Sequence, residues 1–176
     1  HKLEWIEPDF SNGGLGVDLN VDHVACVLTD RHGNPVRRWT IPCVTYGLSQ
    51  AQALDVIRKA ADQITRIAME HDVPVVKEIL DFSAKKDALV NEHGARRARQ
   101  LSSFAYGKFD QSVQSSCVRL RVALRRVNPA YTSLIGRVKT ARRYGLSVHA
   151  SAALAIARRA MAFSERLPPT VRGRIK

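Results

Sequence analysis

Gly14-Leu15-Gly16-Val17-Asp18-Leu19-Asn20 reads as a buried strand interrupted by a carboxylate. Leu15, Val17 and Leu19 alternate with Gly16, Asp18 and Asn20, and a strand sends alternate side chains to opposite faces. An ionised carboxylate is costly in a low-dielectric interior, so a folded chain keeps one against a partner, a metal ion or a water-filled cleft. Asp18 is therefore a candidate site residue. The alternative is an acid at a fraying strand end, or one satisfied by neighbouring backbone amides.

Downstream, His23 to Thr29, the turn signal Asp30-Arg31-His32-Gly33-Asn34, and Pro35 to Pro42 make a hairpin. With the first strand it forms a three-stranded meander. Ser49 and Gln52 have capping-box spacing, and Leu54, Ile57, Ala61, Ile64 and Ala68 then fall on one helical face as far as about His71. That helix should cover the meander. Val73 to Val76, a short apolar run after a helix, reads as a strand entering beside the first and ending in Lys77-Glu78.

Residues 83–99 are charged, weakly periodic and carry Gly94, which predicts a mobile basic loop or a frayed helix. Leu101, Phe104, Ala105, Val113, Cys117 and Leu120 recur at helical spacing, and Val122 to Val127 gives a last strand ended by Asn128-Pro129. A basic connector with Arg137, Lys139, Arg142 and Arg143 follows. Ser147 then caps an Ala-rich helix from Val148 to about Phe163, with His149 in its first turn. The expected organisation is a lead-in over 1–14, one domain over 15–163 with a mobile basic insertion near 83–100, and a flexible basic tail over 164–176. Trp5 and Phe10 are expected at the core edge, and Trp39, Phe104 and Phe109 as packing residues.

Lys and Arg number 28 against 16 acidic residues, a net charge of +12, and such an excess favours a polyanionic partner through counterion release. Nucleic acid is the expected partner. A membrane surface is the weaker expectation, because the cations are spread over several segments, and no apolar run approaches the ~20 residues of a membrane span. Cys26, Cys43 and Cys117 are widely spaced and form no C-x-x-C pair, so neither a disulfide framework nor a zinc ribbon is signalled. A reducing cytoplasm fits that usage. The sequence opens on His1 without a leader pattern, as a piece of a longer protein would.

The order β-β-β-α-β-α-β-α, with one acid on the first strand and another at the end of the fourth, predicts an α/β, ribonuclease H-like fold: a mixed five-stranded sheet flanked by helices. The first and fourth strands would lie side by side, bringing Asp18 to Glu78. Two carboxylates in one cleft repel, and a cation between them resolves the repulsion; Mg²⁺, a hard ion that prefers oxygen ligands, is the natural candidate. Taken alone, Glu78 reads as a solvated strand-end acid paired with Lys77.

The run G-V-D-L-N with its hairpin, V-V-K-E-I-L, R-Q-L-S-S-F-A-Y-G-K-F, and N-P-A-Y-T-S before an Ala-rich helix resemble the RuvC-like nuclease domain of TnpB-type proteins. Those proteins are encoded by bacterial insertion sequences and are related to type V CRISPR effector nucleases. The resemblance covers Gly16 to about Arg159. It implies a metal-dependent DNA endonuclease that hydrolyses phosphodiesters with Mg²⁺ or Mn²⁺, and, in a full-length protein, a guide RNA. Its three acidic positions fall on Asp18, Glu78 and His149, so an imidazole stands where the third acid is expected. His149 is then either a third ligand or proton acceptor, or an ordinary helix N-terminal residue in a degenerate site that binds nucleic acid without cutting it. The family's zinc ribbon is replaced by the Cys-free stretch from Leu134 to Leu146. Arg137, Lys139, Arg142 and Arg143 there are candidate phosphate contacts, with a solvated basic loop as the alternative.

Overall fold

The computed structural model describes residues 6–79, 81–163 and 165. Five strands form one sheet: β1 (Leu15–Leu19), β2 (His23–Thr29), β3 (Pro35–Pro42), β4 (Val75–Glu78) and β5 (Leu124–Val127), in the order β3-β2-β1-β4-β5. The first three make the antiparallel meander, whereas β4 runs parallel to both β1 and β5. The register pairs Leu15 with Val75 and Gly16 with Val76. Continued along both strands, it puts Asp18 and Glu78 level with each other. This is the mixed, ribonuclease H-like α/β sheet expected from the element order.

Alternation along β1 and β4 divides the sheet into two unlike faces. Leu15, Val17, Leu19 and Val75 join the main core with α1 (Gln50–Glu70) and α4 (Ser103–Leu120), through Ile57, Ile64 and Val113. Each such side chain, fully withdrawn from water, contributes roughly 1.5–3 kcal/mol. Helix α1 starts as its sequence dictates: Ser49 accepts from the Gln52 amide while the Gln52 side chain accepts from the Ser49 amide. Helix α4 ends where Arg121 takes a left-handed conformation, φ 55°.

The opposite face is covered by α7 (Val148–Ala160), which buries Ala150, Ala153, Leu154 and Ile156 against Ala25, Val27, Val76 and Val127. Small residues let this helix lie unusually close. A Cβ on Gly16 would stand 1.9 Å from the carbonyl oxygen of Ala153, so only glycine fits there. Phe10 packs at the edge of this face, while Trp5 lies outside the described residues. Phe109 is buried and Trp39 packs against the main core.

The basic stretch near residues 83–100 is helical in two pieces, α2 (Phe82–His93) and α3 (Ala95–Ala98). Asp81 caps α2 by accepting from the Ala84 amide, and Leu89 anchors it in the core. Lys86 donates to the carbonyls of Ala98 and Leu101, and Arg97 pairs with Asp22 across the β1–β2 turn at 2.7 Å. The connector after β5 is also wound: α5 (Thr132–Ile135), a wide turn over Gly136–Thr140, and α6 (Ala141–Tyr144). The expected tail lies outside the described residues, apart from residue 165. Among the described residues no helix is long and apolar enough to cross a membrane.

Candidate active site

Asp18, at the C-terminal half of β1, is 4 % exposed and faces the α7 side of the sheet. Lys85 of α2, equally deep, donates to Asp18 Oδ1 at 2.9 Å. Burial alone would lower the Lys85 ammonium, but the charges of Asp18 and Glu78 outweigh it and hold its pKa above the ordinary lysine value. Glu78 accepts a hydrogen bond from the Thr132 hydroxyl at the start of α5. Its carboxyl is raised, first by burial and then by the charge of Asp18, with Lys85 opposing. Lys85 therefore pairs directly with Asp18 and also feels the charge of Glu78.

His149 completes the group. Ser147 accepts from the Ala150 amide and so sets the first turn of α7, which carries the ring to 3.9 Å from Asp18 Oδ2, measured at Nδ1. The same nitrogen is 3.9 Å from Glu92 Oε2 at the end of α2. Burial depresses the imidazole, with Asp18 pulling the other way, so the neutral ring is favoured. His23 meets it edge-on with centroids 4.9 Å apart, and His93 lies on another side at 5.4 Å. One ligand atom each from Glu92, His93 and His149 falls within 4.8 Å of the others, a group that could hold a metal ion.

A cleft of about 650 Å³ opens beside these residues, lined by Glu78, Lys85, Glu92, Tyr131, Thr132 and Arg137 among others. Of the four connector cations, Arg137 alone reaches it. Lys139 lies 3.7 Å from Glu165, and Arg142 and Arg143 are exposed on α6, the latter stacked over Tyr144.

Asp18, Glu78 and His149 offer two hard oxygen donors and one nitrogen, the donor chemistry of a divalent site. Lys85 occupies Asp18, however, and among the described residues the group whose ligand atoms lie close enough to share an ion is Glu92, His93 and His149. Lys85, Glu92 and His93 are the residues that sequence reasoning missed, whereas Thr132 stands in the turn after the last strand, where substrate-positioning residues are expected. The signal for the three was the stretch Lys85-Lys86-Asp87 to Glu92-His93, where a lysine and a histidine sit among residues read as a mobile loop or frayed helix.

No family profile matches the chain, and no curated protein matches it in sequence. Among solved structures it is similar to a chain in the cryo-EM structure of the Cas12f1-sgRNA-target DNA complex, with TM-score 0.61 and 14% identity. The match covers 86% of this chain and 51% of that one, so this chain spans about half the neighbour's length. The likeness is one of fold, and it falls on a ribonuclease H-like sheet whose first and fourth strands carry Asp18 and Glu78.

Proposed function

We propose that the chain is the RuvC-like nuclease domain of a TnpB-like, insertion-sequence protein, and that it hydrolyses DNA phosphodiesters at Asp18, Glu78 and His149. The observation that carries this reading is the convergence of those three residues, from β1, β4 and α7, on one sheet face beside an open cleft. The structural neighbour, taken from a complex with guide RNA and target DNA, supports the same reading, as does the net charge of +12.

In this reading Arg137 at the rim holds a phosphate of the backbone, and the Thr132 hydroxyl fixes the rotamer of Glu78. His149, neutral at physiological pH, accepts the proton as a water oxygen attacks phosphorus and the bridging P–O bond breaks. A divalent ion held by Asp18 and Glu78 supplies Lewis acidity and charge neutralisation when bound. Lys85 must leave Asp18 for that to happen, and helix α2 carries it.

The Lys85–Asp18 pair itself favours a second reading, a domain of the same fold that binds nucleic acid and does not cut. Incubation of labelled single-stranded DNA with the chain and Mg²⁺ or Mn²⁺ separates the two. The nuclease reading expects cleavage that falls by at least ~100-fold in Asp18→Asn and in His149→Ala. Equal cutting by all three proteins overturns the site. Steeply salt-dependent binding without any cutting establishes the second reading.

A further inference from the structure

We infer that the last turn of α2 and the first turn of α7 together form a binding site for a divalent first-row transition ion, with Glu92 Oε2, His93 Nε2 and His149 Nδ1 as ligands. This goes beyond the Asp18–Glu78 pair of hard oxygens, because two of the three donors are imidazole nitrogens and two of the three residues come from the basic insertion.

The geometry is the first ground. Glu92 Oε2 is 3.7 Å from His93 Nε2 and 3.9 Å from His149 Nδ1, and one ligand atom from each of the three residues lies within 4.8 Å of the others. Ligands about 2.1 Å from a tetrahedral ion stand about 3.4 Å apart, so closing the triangle takes shifts of under an ångström or so at three side chains. Asp18 Oδ2, 3.9 Å from His149 Nδ1, is a further oxygen that could complete the set.

The second ground is an orphaned polar atom. His93 Nε2 is buried and has no hydrogen-bond partner. At 3.7 Å the Glu92 carboxylate is too far to be one. A ring nitrogen withdrawn from water without a partner is costly, and a ligated ion removes that cost.

Charge is the third ground. Asp18, Glu78 and Glu92 set three carboxylates around the buried ammonium of Lys85, while Lys77 is committed to Asp110 and Arg137 and Arg159 stand at the margin. The interior of the site thus carries surplus negative charge. Donor chemistry then selects the ion: two imidazoles and a carboxylate suit Zn²⁺, Co²⁺ or Mn²⁺, whereas Mg²⁺ prefers an all-oxygen shell with retained waters. His23, edge-on to the His149 ring, would hold that ring in its ligating orientation.

Co²⁺ titrated into the chelator-stripped chain and followed by its visible d–d absorption tests the site. One Co²⁺ per chain is expected, displaced by Zn²⁺ and not by a large excess of Mg²⁺. His93→Gln and His149→Gln should each weaken binding by at least ~100-fold, while His32→Gln, at an exposed turn, should leave it unchanged. Unchanged affinity in His93→Gln, ready displacement by Mg²⁺, or absence of binding overturns the inference. Should a variant not fold, Zn²⁺ added to the wild-type chain must shift the imidazole nitrogen resonances of His93 and His149; shifts that spare both rings overturn it equally. Co²⁺ binding without DNA cleavage sinks only the nuclease reading. Mg²⁺-supported cleavage by a chain that fails to bind Co²⁺ sinks only this one.

Discussion

Two buried Lys–Asp pairs sit on opposite faces of the same sheet, and they differ in what surrounds them. On the α4 face, Lys77 pairs with Asp110, donates also to the Glu78 carbonyl, and shares Asp110 with Arg126 at 3.4 Å. The cations there outnumber the acid. Burial pulls the Asp110 carboxyl upward, but Lys77 and Arg126 overcome it and hold it below the usual range. On the α7 face, Lys85 answers Asp18 while Glu78 and Glu92 stand close and are both raised, chiefly by burial. The first pair is complete in itself and acts as a structural tie between β4 and α4. The second leaves carboxylates uncompensated next to a cleft, which is the arrangement a cation-dependent site requires.

Breaking the closed pair should have the largest effect. Asp110→Ala leaves the Lys77 ammonium buried beside Arg126 and is expected to cost about 3–5 kcal/mol, read from denaturant unfolding. An equal loss with and without Mn²⁺ marks that pair as purely structural. Lys85→Met should cost less, about 2–3 kcal/mol at neutral pH, since Glu78, already raised by burial, can take up a proton. Added Mn²⁺ should restore most of that loss, and failure to do so would make the two pairs alike.

Gly16→Ala comes next. Its methyl group would meet the Ala153 carbonyl, forcing α7 from the sheet at about 1–3 kcal/mol and carrying His149 away from Asp18. Weaker metal binding together with the lower melting point would tie the two effects to one displacement. The smallest effect is in pH. Glu78 and Glu92 are raised on folding, so the folded chain binds more protons than the unfolded one above pH 4.5, and stability rises as pH falls through their raised values. His149, lowered on folding from 6.5, acts in the opposite sense: its contribution is lost as pH falls and the unfolded ring charges first. The net change between pH 7 and 5 should stay under about 1 kcal/mol, and Glu78→Gln should tilt it toward loss at low pH. A thermal melt series across that range checks the sign.

Much of this was legible from local chemistry. The Leu15-Gly16-Val17-Asp18-Leu19 alternation defined both faces of the central strand, and Ser49 with Gln52 marked where α1 begins. Ser147 likewise marked α7 and so placed His149. Glu78 was legible only through strand order, because nothing in Lys77-Glu78 says which of the two side chains turns toward Asp18. Helix α2 was legible only as a mobile loop or a frayed helix, for a physical reason. It buries only Lys85 and Leu89, so it presents no apolar stripe, and its position is held by polar contacts from Lys86 and Asp81 that carry no periodicity. The residues it brings to Asp18 were invisible with it. The connector cations show the converse: their run reads as phosphate contacts or as a solvated loop, and of the four Arg137 lines the cleft while Arg142 and Arg143 are exposed on α6.

The three cysteines, all interior, bear on how the chain can be handled. Cys26 is sealed beneath the sheet with its thiol pushed far up by burial, and Cys43 and Cys117 are each pushed up to about 11. Thiolate is the form that alkylating dyes attack, so the native sulfurs should stay silent toward maleimides while the chain is folded. A single cysteine introduced at Val90, an exposed position of α2 that does not line the cleft, would then take a fluorophore cleanly and report whether that helix swings out when DNA or an ion arrives.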